Sequence, residues 1–182
     1  MSKLHFAITP DNRIAEINPR LFGSFVEHLG RAVYTGIYEP GHPEADAQGF
    51  RQDVINLVKE MNVTTVRYPG GNYVSGFNWR DGIGPKEERP VRLDYAWISK
   101  ESNQFGISEF NHWCQQTHVE PMIAINLGTG TPQEAGYFIE YCNHPGGTTL
   151  SDLRVQHGDA EPYNFKLWCL GKIGRASCRE RV

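Results

Sequence analysis

Val63-Thr-Thr-Val-Arg-Tyr-Pro-Gly-Gly-Asn-Tyr-Val-Ser-Gly-Phe-Asn-Trp79 decides the fold. Its first half is β-branched and aromatic, the composition of a buried strand. Pro69 ends that strand, because it lacks an N–H and restricts the residue before it. Gly70 and Gly71 let the backbone turn, and Asn72, Asn78, Trp79 and Arg80 follow at once. A buried strand thus delivers its C-terminal end to a glycine turn carrying polar and aromatic groups. In α/β proteins ligands are held at such ends.

Working outward, the same unit recurs. Before it, Phe50, Val54, Leu57, Val58 and Met61 share one helical face, which predicts a helix ending at Asn62. Residues 21–29 read as a strand whose tip presents Glu27 and His28, followed by a long Gly- and Pro-rich loop. Long loops over strand tips tend to be functional. Strand, loop, helix and strand make a βαβ unit. After it, residues 80–90 read as a charged loop, with Glu87, Glu88 and Arg89 solvated. Residues 108–116 read as a helix that Ser108 can cap, with Ile107, Phe110, Trp113 and Cys114 on its buried side. Residues 119–127 form a third strand, tipped by Asn126, Gly128 and Gly130. Thr131-Pro-Gln-Glu134 then opens a helix: Thr131 caps, Pro132 sits at the first position and Glu134 can close a capping box. Residues 151–161 read as loop, and residues 165–170 as a fourth strand ending at Gly171. At the N-terminus, residues 4–8 and 13–17 alternate like a short β-hairpin.

Four strands with intervening helices predict an α/β fold on a parallel sheet. Either an open doubly wound sheet or half of a (β/α)8 barrel fits. Neither G-x-G-x-x-G nor a phosphate-binding P-loop motif follows any strand, so nucleotide chemistry is disfavoured. A full eightfold barrel needs roughly 250 residues, against 182 here with 39% apolar content. The net charge of −3 gives no global signal for nucleic acid or a membrane surface. Four widely spaced cysteines (114, 142, 169 and 178) match no zinc pattern, and His28, His112, His118, His144 and His157 form no ligand set. No metal and no cofactor are expected, and the cytoplasm is the default compartment. The tail, residues 172–182, crowds Arg175, Arg179 and Arg181 into a few positions.

Phe25-Val-Glu27-His28-Leu-Gly-Arg31, Arg67-Tyr-Pro-Gly-Gly-Asn72-Tyr-Val-Ser-Gly-Phe-Asn78-Trp79, Asn126-Leu-Gly-Thr129, Glu140-Tyr-Cys-Asn-His144-Pro and Leu167-Trp-Cys-Leu-Gly171 resemble the intracellular α-L-arabinofuranosidases of glycoside hydrolase family 51. The resemblance implies the N-terminal half of a (β/α)8 TIM barrel over residues 19–171. Residues 1–18 would be a β segment packing on a C-terminal β-sandwich. It implies retaining hydrolysis of terminal α-L-arabinofuranosyl groups from arabinan, arabinoxylan and oligosaccharides, and a homo-oligomer, hexameric by family analogy. Retention needs two carboxyls about 5 Å apart, one acid/base and one nucleophile. The family's acid/base Glu closes a Trp-Cys-Leu-Gly-Asn-Glu word. Here Trp168-Cys-Leu-Gly171 is followed by Lys172 and Ile173, and Ile173 cannot give a proton. The nucleophile, on the family's seventh strand, falls past the chain's end. Residues 173–182 resemble translated cloning-adaptor sequence, which favours a foreign tail over a frayed end or an anion-binding patch.

The resemblance makes Glu27 and Asn72 substrate-binding residues. Glu27 could instead pair with Arg67 or face solvent, and Asn72 could be a left-handed turn residue. Phe25, Arg67, Asn126 and Trp79 are candidates for supporting contacts. Phe25 and Trp79 read equally as core, Arg67 as an orienter of Glu27, and Asn126 as a structural tip. A non-catalytic carbohydrate-binding fragment is the alternative function.

Overall fold

In the computed structural model, residues 3–171 are described. Four parallel strands form one sheet in the order β1 (Ser24–Phe25), β2 (Thr65–Tyr68), β5 (Glu120–Ala124) and β6 (Leu167–Cys169). Helices α1 (Gln52–Glu60), α2 (Ile107–Thr117), α3 (Pro132–Asn143) and α4 (Thr149–Gln156) fill the crossovers. A separate antiparallel hairpin, β3 (Arg92–Asp94) and β4 (Ser99–Glu101), stands in the connection from β2 to α2.

The register divides the sheet into two faces, since paired residues of parallel strands point the same way. Tyr68, Ile123 and Trp168 align on one face. There Tyr68 and Ile123 are buried, and the Tyr68 ring stacks on Phe110 of α2 at 4.5 Å. Phe25, Arg67, Met122 and Leu167 align on the other face. On it Phe25 is 57% exposed and the other three are half-buried. Parallel sheets are ordinarily covered on both sides. Among the described residues this one is covered by helices on one side only, as in a barrel wall opened along its strands.

Several local expectations change. The predicted hairpin at residues 4–8 and 13–17 does not form: no strand precedes Ser24 among the described residues. Leu4, Phe6, Ile8 and Ile14 are exposed, and without an apolar surface to cover them the alternating pattern has nothing to pair it. The expected stripe of α1 is rotated. The helix begins at Gln52, so Phe50 lies ahead of it and Val54, Ile55 and Val58 turn to the core, leaving Leu57 and Met61 outside. The cap of α2 is Gly106, whose N–H is accepted by Glu109 at 2.8 Å, while Ser108 bonds Asp159. Thr131 caps α3 as expected, but the Glu134 carboxylate pairs with Arg80 instead of closing the box. Residues 151–161 are not all loop. Thr148 and Ser151 cap α4 reciprocally, and the buried Arg154 guanidinium donates to the carbonyls of Tyr141 (2.8 Å) and His144 (2.7 Å) at the end of α3. Arg89 is no solvated loop residue either: its side chain is buried in a fork on Glu109, both bonds 3.0 Å.

Candidate functional site

The sheet brings the C-terminal tips of its strands to one edge, where Glu27, Asn72 and Asn126 lie. Glu27 follows β1 and is buried. Its Oε1 accepts from the Tyr73 backbone N–H at 2.8 Å and from the Trp97 indole N–H at 3.2 Å. Gly70, at φ +116°, runs directly under the Glu27 side chain, and Gly71 lies beside its Oε2. The double glycine therefore lets the β2 turn close upon the carboxylate, a fit no side chain allows. Both bonds fall on Oε1, which leaves Oε2 to accept from a hydroxyl.

Asn72 enters the turn at φ −65° and ψ −36°, an ordinary right-handed conformation, so the left-handed reading is excluded. It lines a cavity of about 540 Å³ between the β2 turn, the hairpin and the loop after β5. Arg67 makes no ion pair with Glu27. Its guanidinium lies over the Phe25 ring at 5.3 Å on the open face, and its Nε is buried without a partner among the described residues. The Asn126 side chain ties the loop after β5: its amide donates to Phe77 O and Thr129 Oγ1 (both 2.9 Å), and its oxygen accepts from the Gly128 and Thr129 N–H groups. Trp79 stacks on Phe138 at 5.0 Å within the core and lies against Arg80. The indole beside the carboxylate is Trp97, not Trp79.

Sequence reasoning passed over Trp97 and Glu101, and named His28 and Tyr73 without giving either a role at the site. Asp94 was a usable signal, because its carboxylate accepts from the Ala96 and Trp97 N–H groups and turns the hairpin. His28 is buried beside Glu27, with Nδ1 2.7 Å from Glu101 and Nε2 3.1 Å from the Tyr68 hydroxyl. Burial pushes the Glu101 carboxyl up, but hydrogen bonds and charge from His28, with the Tyr34 hydroxyl, outweigh it and hold the group below its ordinary value. Burial alone pushes the Cys114 thiol well up, so it is no nucleophile at neutral pH. Ile173, where the resemblance led us to expect the acid/base residue, and the tail lie outside the described residues.

The arrangement is a polar pocket at the strand tips of a half barrel, able to accept hydroxyl hydrogen bonds. Residues 57–177 match the model of an alpha-L-arabinofuranosidase 1 domain. The chain is 57% identical over 171 residues to an intracellular exo-alpha-(1->5)-L-arabinofuranosidase of Acetivibrio thermocellus, covering 94% of this chain and 34% of the relative. It is 56% identical to an exo-alpha-(1->6)-L-arabinofuranosidase of Bifidobacterium longum, covering 94% and 33%. Among solved structures, a family 51 alpha-L-arabinofuranosidase from Bifidobacterium longum superposes with a TM-score of 0.85 at 57% identity, over 86% of this chain and 31% of that one. An arabinose complex of the Thermotoga maritima alpha-L-arabinofuranosidase superposes at 0.81 with 52% identity, over 82% and 31%. The chain spans about a third of the length of these relatives.

Proposed function

We propose the following from the premise that this chain belongs to the α-L-arabinofuranosidases of glycoside hydrolase family 51, whose (β/α)8 barrel it matches over strands one to four. The chain carries the arabinose-recognising part of a retaining glycosidase site that acts on terminal α-L-arabinofuranosyl groups of arabinan, arabinoxylan and oligosaccharides. Relatives named intracellular support a cytoplasmic setting.

One observation carries this reading. Glu27 is a buried carboxylate pinned through one oxygen by Tyr73 N and Trp97 Nε1, on a double-glycine turn that ends in Asn72. A fixed acceptor of this kind recognises furanose hydroxyls at little entropic cost. Glu27 and Asn72 bind the sugar. Arg67, whose buried Nε has no partner among the described residues, orients a carboxylate from the barrel-facing side, and Phe25 lies beside it.

Turnover is a separate matter. A retaining mechanism needs a general acid at the end of the fourth strand, and Ile173 has no ionisable group. The chain as it stands therefore binds without hydrolysing. Incubation with a nitrophenyl α-L-arabinofuranoside tests this. The reading predicts no nitrophenol release above the buffer rate, and enzymatic release would contradict it.

A further inference from the structure

We propose that His28 is a positioning residue: through Glu101 it holds the β3–β4 hairpin at the height where Trp97 meets Glu27. The inference deepens the sugar-site reading and rests on it for its functional meaning.

The two side chains that follow each other on the β1 tip do different work. Glu27 meets the Tyr73 N–H and the Trp97 indole, and His28 meets Glu101 and the Tyr73 ring. The His28 ring stacks on Tyr73 at 4.5 Å and 12° between planes. Tyr73 is the residue whose backbone N–H holds Glu27. On its other side, His28 Nδ1 meets Glu101 at 2.7 Å. Glu101 is the last residue of β4, so this bond sits at the root of the hairpin that carries Trp97. The Glu101 carboxylate also accepts from the Tyr34 hydroxyl and, at 2.7 Å, from Asn103 N. His28 thus stands behind both groups that pin Glu27, the turn amide and the hairpin indole.

Both ring nitrogens of His28 are engaged, Nδ1 by the Glu101 carboxylate and Nε2 by the Tyr68 hydroxyl, which itself donates to Phe105 O at 3.1 Å. Every polar atom of the pair has a partner, the condition under which a buried pair fixes geometry.

The test reads the Trp97–Glu27 bond in the whole chain, without sugar. Indole Nε1 hydrogen exchange is followed by 15N NMR, with the Trp97 signal assigned by its loss in Trp97→Phe. Trp113, buried in the core beside Phe110 of α2, reports the general fold. In His28→Phe, which keeps a ring for Tyr73 but drops both hydrogen bonds, Trp97 exchange accelerates about tenfold or more while Trp113 is unchanged. Unchanged Trp97 exchange beside a protected Trp113 would overturn the proposal. Should His28→Phe lose Trp113 protection, Glu101→Gln, which keeps size and one acceptor oxygen, decides in the same way: faster Trp97 exchange supports the proposal and unchanged exchange overturns it. No sugar enters the measurement, so failure here is distinct from failure of arabinose binding.

Discussion

Gly70 lies so close under Glu27 that a Cβ built on it would sit 2.2 Å from the Glu27 Cβ. The glycine also holds φ +116°, where any side chain is strained. Sequence, turn and site meet in this contact, because the residue that bends the chain after β2 is also the floor of the carboxylate.

Gly70→Ala must therefore either distort the turn or lift Glu27. We expect a loss of about 2 kcal/mol or more from strain and overlap together. The Trp97 indole signal should shift as its partner moves. Urea denaturation of the pair measures the first and NMR the second; equal midpoints with an unmoved Trp97 signal would show that the contact imposes no constraint.

Arg154 offers a stability prediction remote from the pocket. Its fully buried guanidinium satisfies carbonyls at the end of α3 and in the loop after α4. Arg154→Leu keeps an apolar stem, removes the guanidinium and strands those acceptors. We expect destabilisation by about 3 kcal/mol or more, since each buried unpaired carbonyl costs ~1–3 kcal/mol. A urea midpoint within error of the parent would refute this.

The contact between α2 and the segment after α4 sets a pH dependence. Asp159 receives His112 at 3.0 Å, Ser108 at 2.6 Å and Tyr163 at 2.5 Å. Burial pushes the Asp159 carboxyl up, but these bonds outweigh it and hold it at about 2. The bond to Asp159 raises His112 above its ordinary value, against the opposing effect of burial. A depressed carboxyl stabilises the fold above the unfolded value of about 3.9 and loses that contribution as pH falls through its folded value. A raised histidine stabilises below about 6.5 and loses its contribution as pH rises through the folded value. The stability gap between the parent and Asp159→Asn should thus be widest from about pH 4 to 6.5 and narrow on both sides. A gap independent of pH in denaturation series would contradict the assignment.

The parts of the molecule legible in sequence were those whose signals are local. The strand before Pro69, the glycine turn and the Thr131-Pro132 cap state their structure within a few residues, and β2 and α3 form there. Helix α4 was illegible because its burial rests on Arg154, a charged residue that becomes a core residue only when α3 presents its terminal carbonyls. The hairpin hid for a similar reason: Glu101 looks like a surface charge until His28 and Tyr34 reach it from more than sixty positions away. The N-terminal alternation predicted a pairing that needs an apolar surface to stand on. At the site, the words around Glu27 and Asn72 pointed to strand tips that the sheet does bring to one edge, but no word linked Trp97 to Glu27, since 70 residues separate them.

The most direct test of the account is a titration of the chain with L-arabinose followed by 15N NMR. The sugar site assigned to Glu27 predicts saturable shifts centred on the Tyr73 backbone N–H and the Trp97 indole, the two donors on its carboxylate. Glu27→Gln should weaken that binding by about tenfold to a hundredfold, the range for losing a hydrogen bond to a charged acceptor. Shifts that map elsewhere, or an affinity unchanged in Glu27→Gln, would contradict the claim that this half barrel recognises arabinose through Glu27.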